Sequence, residues 1–166
     1  MNNTLGKIFL EELKAEEKAT RKCLERIPLD KLSEWKPHPK SMNLGYLSLI
    51  VAEIPKWITH IIEKGDIDFG TFDHVEIKTT DELVKHFDHN MKIVEKALQN
   101  VSNEELDKPF SLKNKGQVLF TSSKKDNISS SINHLVHHRG QLTVYMRLNE
   151  IPVPSIYGPS ADDKTF

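Results

Sequence analysis

The chain contains one cysteine, Cys23, so it cannot close an intramolecular disulfide, and a reducing cytoplasm is the compartment this composition fits best. Long apolar runs are also missing. The richest stretch, Leu44 to Ile62, is broken by Glu53, Pro55 and Lys56 and falls short of the roughly 18 apolar residues of a spanning helix. Met1–Leu10 lacks the basic start and apolar stretch of a secretory leader. No excess of either charge exists: 23 basic residues face 24 acidic ones for a formal charge of −1, which removes any global drive toward nucleic acid or an anionic bilayer. With only 7 glycines and 8 prolines, fibrous and low-complexity architectures drop out as well. What remains is 166 residues, 37% hydrophobic and 28% charged, enough to bury one core in a single domain. Eight histidines are more than a chain of this size usually carries.

Four segments repeat apolar residues at helical spacing. The first runs from about Thr4 to Ile27 with Leu5, Ile8, Phe9, Leu13, Leu24 and Ile27 on one side, and Pro28 closes it. After two prolines at 37 and 39, Ser41 or Asn43 can cap a second helix whose buried side is Leu44, Leu47, Ile50, Val51, Ile54, Ile58 and Ile61, with Gly65 as its stop. Pro55 inside it predicts a kink. Thr79 or Thr80 starts the third, followed by Leu83, Phe87, Met91, Val94, Leu98 and Val101. Two β-prone runs around Asn114-Lys-Gly116 predict a small β-hairpin. The fourth helix spans about Asp126 to Asn149, and the prolines at 152 and 154 force an extended segment after it. The expected organisation is an all-α four-helix bundle over residues 1–150 and an extended C-terminal arm over 151–166 packed on the same domain.

The fourth helix carries the most informative pattern. At 100° per residue, His134, His138, Gln141 and Tyr145 fall within about 60° of one another, beside the apolar face of Ile128, Ile132, Leu135, Leu142 and Met146. The i, i+4 spacing stacks two imidazoles so that both could reach one cation. Two nitrogens alone do not make a tight metal site, so solvated or structural histidines are the competing explanation. Arg139 falls on the apolar face and needs a partner, for which Glu53 on the second helix is a candidate. Cys23 reads as an inert core thiol, and His38 and His74 as exposed loop residues.

The run from His134 to Leu148 (HLVHHRGQLTVYMRL), the tail Ile151–Asp162 (IPVPSIYGPSAD), and Trp35–Gly45, Val51–Trp57 and Gly116–Thr121 resemble the DinB family over most of the chain. The resemblance implies an up-up-down-down bundle, often a homodimer, holding a divalent ion such as Zn, Ni, Mn or Fe through a helix-two histidine and an HxxxH pair. His134 and His138 match the pair. At the helix-two position this sequence has Ile50, which cannot donate to a metal, so the site reads as degenerate. Glu53, or His60, His86 or His89, are the conceivable substitutes.

Related proteins imply a metal-dependent thiol transferase or hydrolase, in which the ion would present thiolate or hydroxide at neutral pH. Gln141, Tyr145, Glu53 and Arg139 would then border a small-molecule substrate, a thiol among the candidates. The alternative is a metal-free small-molecule-binding or interaction protein that keeps the bundle without catalysis. Nucleic acid is suggested only by Lys113, Lys115, Lys124 and Lys125 near the hairpin, against a balanced net charge and no basic stripe on a helix.

Overall fold

The computed structural model describes residues 3–165. Four long helices, α1 (Thr4–Glu25), α3 (Leu44–Glu63), α4 (Thr80–Asn100) and α6 (Lys124–Leu148), are joined by two single-turn helices, α2 (Leu29–Leu32) and α5 (Asn103–Leu106), and three short strands, β1 (Asp66–Asp68), β2 (Pro109–Asn114) and β3 (Gln117–Ser123). Phe166, the last residue of the expected arm, lies outside the described residues. Among the described residues no helix is long and apolar enough to cross a membrane.

Local chemistry sets the helix starts. Asn43 accepts from the Tyr46 amide at 2.8 Å, Thr79 forms a capping box with Glu82, and Ser123 accepts from the Asp126 amide, each satisfying a donor that the first turn leaves free. The apolar positions expected on the second, third and fourth helices are all buried. On the first, Ile8 is 51% exposed and the core side is carried by Leu10, Leu13, Leu24 and Ile27. Gly65 follows α3 without a positive φ, so the helix ends through an extended Lys64 rather than through a left-handed glycine.

Cross-helix contacts fix the directions. Relative to α1, α4 is antiparallel: Arg21 Nε donates to Asp88 Oδ1 at 2.8 Å and Thr80 Oγ1 to the Ile27 carbonyl at 2.5 Å. Helix α6 is parallel to α1, with Arg139 against Glu16 and Arg26 donating to the Pro152 carbonyl at 3.1 Å. Helix α3 is antiparallel to α6: Lys124 Nζ reaches the Ile62 carbonyl at 2.7 Å, the Trp57 ring lies tilted against His134, and Tyr145 Oη donates to the Met42 carbonyl at 3.2 Å. Helices α3 and α4 run side by side in the same sense, since Leu49 shares a cleft with Leu83 and Ile62 shares one with Ala97. The order is therefore up-down-down-up, which corrects the expected up-up-down-down.

The reason lies in the connection 64–79. Instead of turning at the end of α3, it runs back along that helix: Phe72 packs on His60 and Trp57, Lys56 Nζ donates to the Asp73 carbonyl, and His74 meets Glu53 and Tyr46. This strap delivers the chain to the opposite end before α4 begins.

Strands β2 and β3 pair antiparallel through Lys115 and Gly116, both at positive φ, the pattern of a two-residue hairpin turn. Strand β1, absent from the sequence expectation, adds in parallel to β2. It is pinned by the Asp68 carboxylate, which accepts from the amides of Gly70, Lys115 and Gly116. Those bonds hold its pKa below the usual carboxylate value.

Candidate functional site

His134 and His138 project from one face of α6, and their Nε2 atoms lie 2.7 Å apart with ring centroids separated by 4.4 Å. His138 is 7% exposed, and its Nδ1 is 2.7 Å from Gln141 Oε1. With that oxygen as acceptor, Nδ1 carries the proton, Nε2 is left as a lone pair, and His134 Nε2–H donates to it. The row then needs two neutral rings. Burial depresses the pKa of His134 below 6.5, with smaller contributions from His138 and His137; His134 is open on one side, and the Trp57 ring at 5.7 Å encloses the other. Burial also depresses His138, partly offset by its bond to Gln141. Both shifts favour the uncharged pair.

The α3–α6 ladder locates Ile50. Between Trp57 opposite His134 and Met42 opposite Tyr145, residue 50 falls level with His138, two turns from Trp57 on the same helix face. A third imidazole from α3 would come from there, and the side chain present is an alkyl group. Glu53 does not replace it, because it is engaged elsewhere. Among the described residues, no group of three or more His, Cys, Asp or Glu side chains is placed to hold a metal ion. Two donors fit the ion that the resemblance implies, and the third is missing.

His134 opens onto a cavity of about 580 Å³ between α3, the sheet and α6, a size suited to a small organic molecule. Trp57, Ile61, Phe69 and Phe110 form its apolar walls, while Asn127, Ser130 and Ser131 add polar edges. The sequence reading missed this cavity. Phe69 sits in an aperiodic loop and Phe110 in a short strand, and only the fold brings them to Trp57.

The other site candidates separate. Gln141 stays with the histidine pair. The Tyr145 hydroxyl is occupied by the Met42 carbonyl and its ring by Trp35. Arg139 does not meet Glu53: it lies 2.6 Å from Glu16 Oε2 and donates to Thr20 Oγ1 and Tyr157 Oη, because α6 turns this face toward α1. Glu53, fully buried, instead meets His74 Nδ1 at 2.5 Å and His86 Nε2 at 3.6 Å. Burial opposes its ionisation, but His86, His74 and Lys56 together hold its pKa below 4.5. His74, exposed in its loop as expected, and His86, a conceivable substitute ligand, thus both meet a buried carboxylate. Cys23 is buried, and desolvation pushes its thiol up to about 11, in keeping with an inert core residue.

The DinB family model matches residues 1–165. Two crystal structures resemble the fold: a DinB-like protein from Bacillus subtilis, at 18% identity and a TM-score of 0.66 over 87% of this chain and 94% of that one, and a DinB-like protein from Bacillus cereus, at 24% identity and a TM-score of 0.66 over 90% and 95%. No curated protein matches.

Proposed function

The chain belongs to the DinB family, and on that premise we propose that it binds a small organic molecule in the cavity beside Trp57, with the polar group of that molecule held at the His134–His138 pair. The observation that carries this reading is the 2.7 Å contact between the two Nε2 atoms at the edge of a cavity of about 580 Å³. Gln141 fixes the tautomer of His138, and His134 is left as the member of the row that can exchange a hydrogen bond or a proton with a bound group. Nothing in this arrangement requires a metal.

Ligand-observed NMR with small aromatic compounds tests the reading. Contact with the wild type that disappears in Ile61→Trp, whose added ring fills the cavity, is the expected result, with circular dichroism confirming that the variant folds. Compounds that contact both proteins equally would overturn it.

Convergence of both Nε2 atoms on one point favours a second reading, the metal-dependent thiol transferase or hydrolase of the family, acting as a homodimer with His134 and His138 as ligands. Elemental analysis of untagged protein, before and after loading with Zn, Ni, Mn or Fe, separates the two. Occupancy near one equivalent supports the second reading, and below about a tenth of an equivalent under excess ion supports the first.

A further inference from the structure

The sheet has two edges of different character. Its strand order is β1-β2-β3, so the outer backbone N–H and C=O groups of β1 and β3 have no further strand to pair with, and such a row is a template for another chain. On β1 the edge is guarded, because the strand is three residues long and two of them are Asp66 and Asp68. On β3 it is open. Gln117–Ser123 (QVLFTSS) contains neither a charge nor a proline, and Val118, Leu119 and Phe120 stand 52, 59 and 55% exposed. A bulge sets Phe120 against Leu112 and Val118 against Lys113, which leaves Leu119 as the extra residue and adds its apolar side chain to the same stretch.

Charge decides what fits this edge. The strand is neutral, so a second β3 lying antiparallel beside it meets no like charge. About a twofold axis at Leu119, Val118 of each copy opposes Phe120 of the other, and Lys115 of each opposes Ser123 of the other, one helical turn from Asp126. Lys115 and Asp126 are both exposed, and among the described residues neither forms an ion pair within its own chain. Their neighbours Lys113 and Lys125 are taken by Asp66 and Asp107, and the Asp126 carboxylate accepts only from the Ser123 hydroxyl. Pairing in this register therefore sets a Lys115–Asp126 couple at each end of an apolar centre. A contact of this isologous kind uses both open edges and closes at two copies.

We infer that β3 is the docking edge for a second copy of this chain, the two strands pairing antiparallel about Leu119 so that the two sheets become one. Neither the cavity nor the histidine pair is required for it, so the dimer forms whatever those sites hold.

Sedimentation velocity of the full chain across about 1–200 µM reads the association, and wild type should pass from monomer to dimer within that range. Leu119→Lys, which sets two ammonium groups face to face at the axis, should raise the dissociation constant at least about tenfold. Lys115→Glu should raise it about fivefold, and Lys115→Glu combined with Asp126→Lys should return it to within about twofold of wild type. All three side chains are exposed, and circular dichroism checks that each variant folds. Leu119→Cys supplies the one accessible thiol, since Cys23 is buried. Copper phenanthroline should link two copies of this variant, whereas Lys115→Cys, whose thiols would lie at opposite ends of the paired strands, should stay unlinked. A wild type that stays monomeric throughout, or that grows beyond two copies, would overturn the closed pairing. A dimer that tolerates Leu119→Lys would put the contact elsewhere on the molecule and overturn the role of β3. An unchanged constant in Lys115→Glu, or equal linking through both cysteine variants, would overturn the register.

Discussion

Arg139 Nη1 and Glu16 Oε2 lie 2.6 Å apart, with the arginine 1% exposed and the glutamate 14%. Thr20 and Tyr157 fill further donor positions of the guanidinium, so this pair ties α6, α1 and the C-terminal arm together. Removing one partner of a buried pair strands the other charge. Glu16→Ala should therefore cost about 2–4 kcal/mol in urea unfolding, and Tyr157→Phe, which deletes one hydrogen bond, about 1 kcal/mol. A Glu16→Ala loss below about 0.5 kcal/mol, typical of a surface pair, would contradict this account of the network.

The histidine row links stability to pH. Both rings titrate below 6.5 in the folded protein, chiefly through burial, so the unfolded chain takes up protons that the native state refuses. Their contribution is complete above about pH 6.5 and is lost as the pH falls below that value. Melting temperature should drop between roughly pH 7 and pH 5, and His138→Gln, neutral throughout, should show a shallower drop. Parallel curves for the two proteins would refute the linkage.

Ile50→His should create the donor that α3 lacks. It lies level with His138, and three imidazoles meet the requirement of a divalent site with an open position. Nickel or zinc affinity, followed by calorimetry, should rise at least about tenfold over wild type. An unchanged affinity would show that position 50 does not face the pair.

Glu53 anchors the strap. With its pKa held below 4.5, the stabilisation it gives is present above that value and is lost as the pH falls through the depressed one. Glu53→Gln removes the carboxylate that His74 and His86 meet, and should speed amide exchange in residues 69–79 while leaving the hairpin turn at Lys115–Gly116 protected. Equal acceleration in both segments would indicate general loosening instead.

Helices were legible because burial imposes a 3.6-residue period, and caps such as Asn43 and Thr79 are local chemistry. The pairing of His134 with His138 was legible for the same reason, since i and i+4 on one helix meet whatever the rest of the chain does. Partners across the bundle were not. Arg139 could have met any acidic residue on two neighbouring helices, and the choice of Glu16 over Glu53 depends on helix directions that the 64–79 connection decides. That strap has no period to read: Phe72 and His74 acquire meaning only when laid along α3. Strand β1, three residues long, is held by Asp68 accepting from a turn some 47 residues away.

The arm beyond α6 also closes over the bundle. Tyr157 reaches Glu16 and Arg139, Asp162 bridges Arg147 and the Val153 amide, and Asp163 sits near Lys22 and Arg26. A recombinant version trimmed after Asn149 would retain every long helix and still lose the clasp that fastens the first to the last, so expression designs that treat the final residues as dispensable would yield a protein prone to fray from its amino-terminal helix.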